Sequence, residues 1–332
     1  MLKDIIVFSL SSSIELTNSV CEKLGITPGV SAVTHFKDGE CIAFSKTDVR
    51  YKKVYIIQST SSPVNDRIME TLIFIDAVKR ANCREVNLVC PYFGYARQDR
   101  IAHKNEPITA RMVADLFTNA GVKRIITLEL HTPQIQGFFG IPLDNLTPSV
   151  IFANYLKKRL ENDPAFTGKN IAIVAPDHGA LHRARDLAAY IPNTNLVVID
   201  KRRPRPNVAE ITNVVGDING KVCVMIDDII DTGGTILAGA KVLKEKGARL
   251  VFICCAHALF NGEAFQRMEE AEYVEECVVT DSVFHAEFKD SKKIKVISLA
   301  DMLADVIDKH ESHEDISIEY AKFGWWTRLS KR

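Results

Sequence analysis

Three aspartates and a glycine pair share one short stretch, VMIDDIIDTGGT, in which Asp227, Asp228 and Asp231 are followed at once by Thr232, Gly233, Gly234 and Thr235. Glycines let backbone N–H groups approach a phosphate closely, threonine hydroxyls add donors, and a helix opening directly behind them contributes the positive end of its dipole. Such a loop can hold the phosphate of a sugar phosphate. Two carboxylates after the apolar run Val222 to Ile226 can accept hydrogen bonds from vicinal sugar hydroxyls, or approach a metal, where open α/β sheets bind ligands. The combination describes a pentose phosphate site. By residue type alone it also fits a tight strand-to-helix turn with a solvated acidic cap.

The elements that must position this stretch repeat along the chain. Short β-branched runs, KVYIIQ (53–58), EVNLVC (85–90), KRIITLEL (123–130), NIAIVA (170–175), LVVID (196–200), KVCVMID (221–227), RLVFICCA (249–256) and KIKVIS (293–298), alternate with longer amphipathic stretches. That alternation predicts an α/β fold with mostly parallel sheets. Residues 65–81, 109–120, 149–160 and 235–246 carry apolar side chains at helical spacing and are read as helices. A new strand series begins at Asn170, after a break around residues 142–148. The expected organisation is therefore a first domain over 1–147, a second over 148–298, and a C-terminal helix and tail over 299–332.

Bulk properties narrow the partners. The 332 residues hold 42 Lys and Arg against 42 Asp and Glu, so no global basic field exists to draw the chain to nucleic acid or an anionic membrane. Eight cysteines lack metal-ligand spacing and read as free thiols of a reducing, cytoplasmic compartment. The N-terminal apolar stretch is too short for a membrane span.

VMIDDIIDTGGT resembles the phosphoribosyl-binding motif shared by phosphoribosyltransferases and ribose-phosphate pyrophosphokinases. FKDGE (36–40), QSTSSPVNDRIMETL (58–72), PYFGYARQDR (91–100), EPITARMVADL (106–116), LHTPQIQGFF (130–139) and IDKRRPRPNVAE (199–210) are similar to segments of the pyrophosphokinases in that family's order. The resemblance covers nearly the whole chain. It implies two similar phosphoribosyltransferase-type domains and transfer of the diphosphoryl group of ATP to ribose 5-phosphate, with Mg2+ as cofactor.

By that resemblance Arg97 and Gln98 bind ATP, and Phe36, Asp38, Gly39 and Glu40 reach the nucleotide of a neighbouring subunit, which implies a homo-oligomer, in the family a hexamer. By residue type, Phe36 reads as core and the DGE as a hairpin turn. The resemblance makes His131, at the end of the strand 123–130, an ATP and magnesium contact, and Asp177 in PDHGA a second metal or substrate position; Asp177 equally suits a helix N-cap. Lys201 and Arg203 match the family's catalytic loop, a mobile cationic lid, and Arg203 also meets ribose 5-phosphate, alongside the loop Asp227 to Thr235. Glu129, Gly140 and Ala180 depart from the family pattern. The rival reading from another class, a noncatalytic regulatory relative, would be expected to lose Lys201 and Arg203.

Overall fold

The computed structural model describes residues 2–161, 170–191, 193–205 and 208–316, with the backbone alone for residues 3, 201–205 and 208–212. The aromatic tail with Phe323, Trp325 and Trp326 lies outside the described residues. The chain divides into two compact units. One runs to Thr147 and takes in Ser282–Phe284 and the chain from Ser298; the other comprises Pro148–Asp281 and His285–Ile297. In the first unit the Ser59 hydroxyl donates to the Ser282 carbonyl.

The first unit is built on five parallel strands in the order β1 (Ile5–Ser9), β4 (Lys53–Ile57), β5 (Glu85–Cys90), β6 (Arg124–Leu128) and β7 (Leu143–Leu146). The antiparallel pair β2 (Ser31–His35) and β3 (Cys41–Ser45) stands as a separate hairpin. All five residues of β4 are buried, as expected for a parallel strand covered on both faces. Val54, Ile56 and Leu88 pack with Phe74, Ile75 and Val78 of α2 (Val64–Arg80) and with Val113 and Phe117 of α3 (Thr109–Ala120). Helix α1 (Ile14–Leu24) ends at Gly25, whose left-handed conformation closes the last turn onto Cys21 and Glu22 carbonyls.

The last helix, α8 (Ala300–Ser312), belongs to this first unit despite following the second in sequence. Its Asp301 meets Lys23 at 2.7 Å on the surface. Deeper in, Lys53 donates to both oxygens of Glu311 at 3.1 and 2.9 Å and the Tyr55 hydroxyl donates to Glu311 Oε1 at 2.7 Å. A buried carboxylate satisfied by three such bonds fixes where the helix ends.

The second unit has seven strands in the order β10 (Val208–Val215), β9 (Asn195–Arg205), β8 (Ile171–Ala175), β11 (Val222–Ile230), β12 (Leu250–Ala258), β13 (Glu276–Thr280) and β14 (Ile294–Ile297). Only β9 and β10 pair antiparallel. Alternate residues of the central strands feed two cores. Cys223 and Met225 pack with Ile236 and Leu243 of α6 (Gly234–Glu245) and Met268 of α7 (Ala264–Glu270). Val222, Val224 and Ile226 pack with Phe152 and Leu156 of α4 (Ser149–Leu160) and Leu187 of α5 (Leu181–Ala188). From β8 the chain first builds outward to β9 and β10, then returns to the other side of β8 with β11. The loops after β8 and β11 therefore flank a topological switch point, where ligands bind in open α/β sheets.

Both units carry a mostly parallel sheet flanked by helices, the α/β class that the alternation predicts. Three local expectations need correction. Strand β11 runs on through both aspartates to Ile230, because Asp227, Ile229 and Ile230 keep their pairing with β12. Strand β6 stops at Leu128, so His131 lies beyond the strand. The segment with Lys201 and Arg203 has strand backbone, Lys201 pairing with Ile211 of β10, in place of the expected loop. No helix among the described residues is long and apolar enough to cross a membrane.

Candidate active site

At the switch point of the second unit, the carboxyl groups of Asp227 and Asp228 at the end of β11 lie close enough to interact directly, and both feel the charge of Arg183. Asp228 is buried and meets Arg183 of α5, Nη2 to Oδ2, at 3.2 Å. Asp227 keeps part of its surface open, and its Oδ1 accepts the Asp228 N–H at 3.0 Å. Burial, followed by the charge of Asp228, holds the Asp227 carboxyl well above the usual carboxylate range; Arg183 opposes the rise, and Asp177 adds to it. An acid so placed gains from a donor brought by a ligand, such as a sugar hydroxyl.

Past Ile230 the strand gives way to the loop Asp231 to Thr235. Gly233 has φ +75° and caps α6, and Gly234 begins the helix. A side chain at Gly233 would be strained in that left-handed conformation. Thr232, Gly234 and Thr235 are exposed, so the loop presents its backbone and hydroxyl donors outward at the positive end of a helix of 12 residues.

The loop after β8 lies on the same edge. Asp177 Oδ1 accepts the Ala180 N–H at 3.0 Å, so Asp177 closes the turn that precedes α5; the N-cap itself is Ala180, not Asp177. His178 Nε2 lies 3.3 Å from Asp200 Oδ1, which ties this loop to β9 one residue before Lys201. The side chains of Lys201 and Arg203 are outside the described residues.

In the first unit, the loops after β4, β5 and β6 gather at the carboxyl ends of adjacent strands. Gly94 N–H donates to Thr60 Oγ1 at 2.6 Å. Tyr95 follows with φ 63°, a conformation uncommon outside glycine and asparagine, and Glu129 after β6 has φ 44°. Such strain persists where surrounding contacts enforce it and collects at functional sites. Thr109 Oγ1 donates to Gln98 Oε1 at 2.6 Å and Thr132 Oγ1 donates to Asp99 Oδ2 at 2.7 Å. These bonds bring the Arg97 to Asp99 segment beside the turn that carries His131. Arg97 and Gln98 are exposed and His131 is half-buried.

Phe36, Asp38, Gly39 and Glu40 form the tip between β2 and β3, where Phe36 N–H donates to the Glu40 carbonyl at 2.7 Å. Phe36 is 52% exposed. The reading of Phe36 as core by residue type fails, because Phe36 lies at the tip while the base of the hairpin, through Ala43 and Val33, packs into the core with α2.

Among the described residues, no group of three or more His, Cys, Asp or Glu is arranged to hold a metal ion. His131 belongs to the first unit and Asp177 to the second. Each offers at most isolated donors, which suits a hard cation that arrives with phosphate and water as its other ligands and does not suit a closed protein cage. Sequence reasoning missed Arg183. Its role depends on α5 packing against β11, and nothing in HRAR announces that.

The comparisons agree along the chain. The N-terminal domain of ribose phosphate pyrophosphokinase matches residues 5–121, and the phosphoribosyl synthetase-associated domain matches residues 193–321. The ribose-phosphate pyrophosphokinase of Listeria ivanovii is 47% identical over 312 residues, 94% of this chain and 95% of the relative. That of Fusobacterium nucleatum is 42% identical over 311 residues, 94% and 96% of the two chains. The crystal structure of phosphoribosylpyrophosphate synthetase from Mycobacterium smegmatis superposes with a TM-score of 0.86 at 33% identity, covering 94% of this chain and 100% of that one. With both domain families matched in order and near-complete coverage of the relatives, the chain belongs to the ribose-phosphate pyrophosphokinase family.

Proposed function

We propose that the chain makes phosphoribosyl diphosphate with ribose 5-phosphate seated in the second unit and ATP on the strand-end loops of the first. The reaction is the one the family is named for: the β,γ-diphosphoryl group of ATP passes to the C1 hydroxyl of ribose 5-phosphate, and AMP is released. The observation that carries the seating is the loop Asp231 to Thr235 at the N-terminus of α6, with Thr232, Gly234 and Thr235 exposed, directly behind the paired acids Asp227 and Asp228.

In this reading the sugar phosphate accepts hydrogen bonds from the backbone and hydroxyls of Thr232 to Thr235, and Asp227 and Asp228 accept from ring hydroxyls. The C1 oxygen attacks the β-phosphorus in line, and its proton is lost to solvent. The bond from that phosphorus to the oxygen of the AMP portion breaks, and AMP departs with the electron pair. Arg97 and Gln98, with His131 nearby, hold the nucleotide. Lys201 and Arg203 place positive charge where the transferring group and leaving oxygen gain negative charge.

ATP-dependent chemistry of this kind uses a divalent metal, for which we take Mg2+; bound to the phosphates it neutralises their charge, and His131 and Asp177 are the side chains able to offer it a donor. The exposed tip of Phe36, Asp38, Gly39 and Glu40 supports a homo-oligomer, a hexamer in this reading, in which the hairpin completes a neighbour's nucleotide pocket. The free cysteines, most of them buried, favour a cytoplasmic setting.

Purified protein with ATP, Mg2+ and ribose 5-phosphate is expected to form AMP and phosphoribosyl diphosphate in equal amounts. Folded protein that forms neither would favour the regulatory-subunit reading. Lys201→Ala is expected to lower kcat with substrate binding intact; unchanged turnover removes Lys201 from the mechanism.

A further inference from the structure

Asp231 opens the phosphate loop, and a carboxylate there repels the dianion that the rest of the loop is built to accept. The turn between β12 and α7 bears on this problem. Leu259 and Phe260 N–H groups both donate to the Ile230 carbonyl, at 2.9 and 3.1 Å, and Asn261 N–H donates to the Asp231 carbonyl at 3.0 Å. The Asn261 side chain then donates from Nδ2 to Asp231 Oδ1 at 2.6 Å. One residue therefore grips both the backbone and the carboxylate of Asp231.

The grip has a rigid base. Phe260 has φ 48°, a left-handed conformation costly for a bulky residue. Packing enforces it: Phe260 is buried, its ring meets Phe288 edge-on at 5.1 Å, and His285 stacks on Phe288 at 4.5 Å while its Nε2 bonds to the Ala258 carbonyl at 2.7 Å. Strain held this way at a ligand-binding loop points to preorganisation.

We infer that Asn261 is a positioning residue for ribose 5-phosphate, drawing the Asp231 carboxylate onto the β12–α7 turn so that the N–H groups of Thr232 to Thr235 are left to the phosphate. The inference rests on the assignment of Asp231 to Thr235 as the phosphate loop. Asn261 touches Asp231 and acts through it.

Steady-state kinetics on the full-length protein tests this. Asn261→Ala is expected to raise KM for ribose 5-phosphate about tenfold, the scale of one hydrogen bond to a charged group, with kcat, KM for ATP and the melting temperature nearly unchanged, since Asn261 is exposed. Asn261→Asp, which keeps the side-chain size and adds a second carboxylate, is expected to raise it further and reads the same relationship if the alanine variant is unstable. In an Asp231→Asn background, adding Asn261→Ala is expected to change KM less than about twofold, because the charge to be restrained is gone. An unchanged KM for ribose 5-phosphate in Asn261→Ala, a parallel loss in both KM values and kcat, or an equal effect in the Asp231→Asn background overturns the inference. Thr235→Ala separates it from its foundation. If Thr235→Ala raises the ribose 5-phosphate KM and Asn261→Ala does not, only the role of Asn261 falls; if Thr235→Ala leaves that KM unchanged, the phosphate-loop assignment falls and takes this inference with it.

Discussion

Arg183 and Asp228 form an ion pair in the second unit, Nη2 to Oδ2 at 3.2 Å, with side chains only 4% and 5% exposed. Helix α5 thus delivers a cation beneath the two acids at the end of β11. A buried pair of this kind adds little over an apolar substitute, but removing one partner leaves the other charge stranded. Arg183→Ala is therefore expected to destabilise the protein by about 3 kcal/mol at neutral pH. The deficit should narrow as pH falls and the stranded carboxyls take up protons. Thermal unfolding of both proteins between pH 5 and about pH 8, the range in which native stability usually peaks, checks this; a deficit that does not depend on pH would show that Arg183 acts through packing.

Asp227 carries the opposite expectation. Its folded-state carboxyl is raised above the ordinary 3.8, first by burial and then by Asp228. A raised folded value means that the native state holds the proton more tightly than the unfolded chain, so the favourable contribution exists at low pH and is lost as pH rises through the folded value. Above the ordinary carboxylate range, placing this acid in the fold is therefore a net cost relative to the unfolded chain. Asp227→Asn should raise the melting temperature of the ligand-free protein at pH 7 while raising KM for ribose 5-phosphate, a separation of stability from function expected where a site is held under electrostatic strain. A lower melting temperature at pH 7 would contradict the sign.

The contrast between Asp227 and Arg183 shows what the sequence could disclose. Strand-to-helix order, the glycine pair and the acids lie within one stretch, so the phosphate loop was legible from local chemistry. Helices 109–120 and 149–160 were read to the residue because their apolar spacing is strong. Arg183 was not, since its burial is set by a tertiary contact between α5 and β11. Residue type alone puts Phe36 in a core because an aromatic normally finds one, and only the geometry shows that Phe36 sits at the exposed tip of a hairpin whose base packs on α2. The strand β13 (Glu276–Thr280) is not distinguishable in the sequence; five residues with a glutamate at the start give too short a pattern to separate from a buried turn. The strand character of β9 through Lys201 to Arg205 is not legible in the sequence, because prolines and consecutive arginines suggest a loop, and pairing with β10 overrides them.

At the opposite end of the first unit's sheet, His310 of α8 sits against the Tyr55 hydroxyl, with Glu311, Lys53, Arg124 and Asp144 around it. Burial first, then Arg124, holds the His310 imidazole below its ordinary 6.5, with Glu311 opposing. A depressed histidine contributes stability that is present above the unfolded value and is lost as pH falls through the folded one. The first unit should accordingly lose stability as pH drops below about 6.5, and His310→Asn should flatten that part of the profile. Glu311→Ala should cost about 3 kcal/mol, because it strips Lys53 of the two bonds at 3.1 and 2.9 Å. Hydrogen exchange across α8 would localise both effects; protection unaltered in α8 would detach the helix from this cluster.

Gly94 offers a separate test of the nucleotide loop. A Cβ at this position would lie 2.5 Å from the Thr60 carbonyl oxygen, a backbone atom that cannot swing aside. The close approach exists because Gly94 N–H reaches Thr60 Oγ1, and it sets the path of the chain into Tyr95, Arg97 and Gln98. Gly94→Ala must push the loop off the carboxyl end of β4, and displacements of an ångström at a positioning group are costly. The expected outcome is a rise in KM for ATP of about tenfold or more, with KM for ribose 5-phosphate close to that of the parent protein, since the sugar loop belongs to the second unit. Isothermal titration with a nonhydrolysable ATP analogue separates binding from turnover. If nucleotide affinity survives while the melting temperature falls, the loop after β5 is structural and Arg97 and Gln98 lose their assignment; if affinity falls and ribose 5-phosphate binding holds, the two substrates are read by different units of the chain.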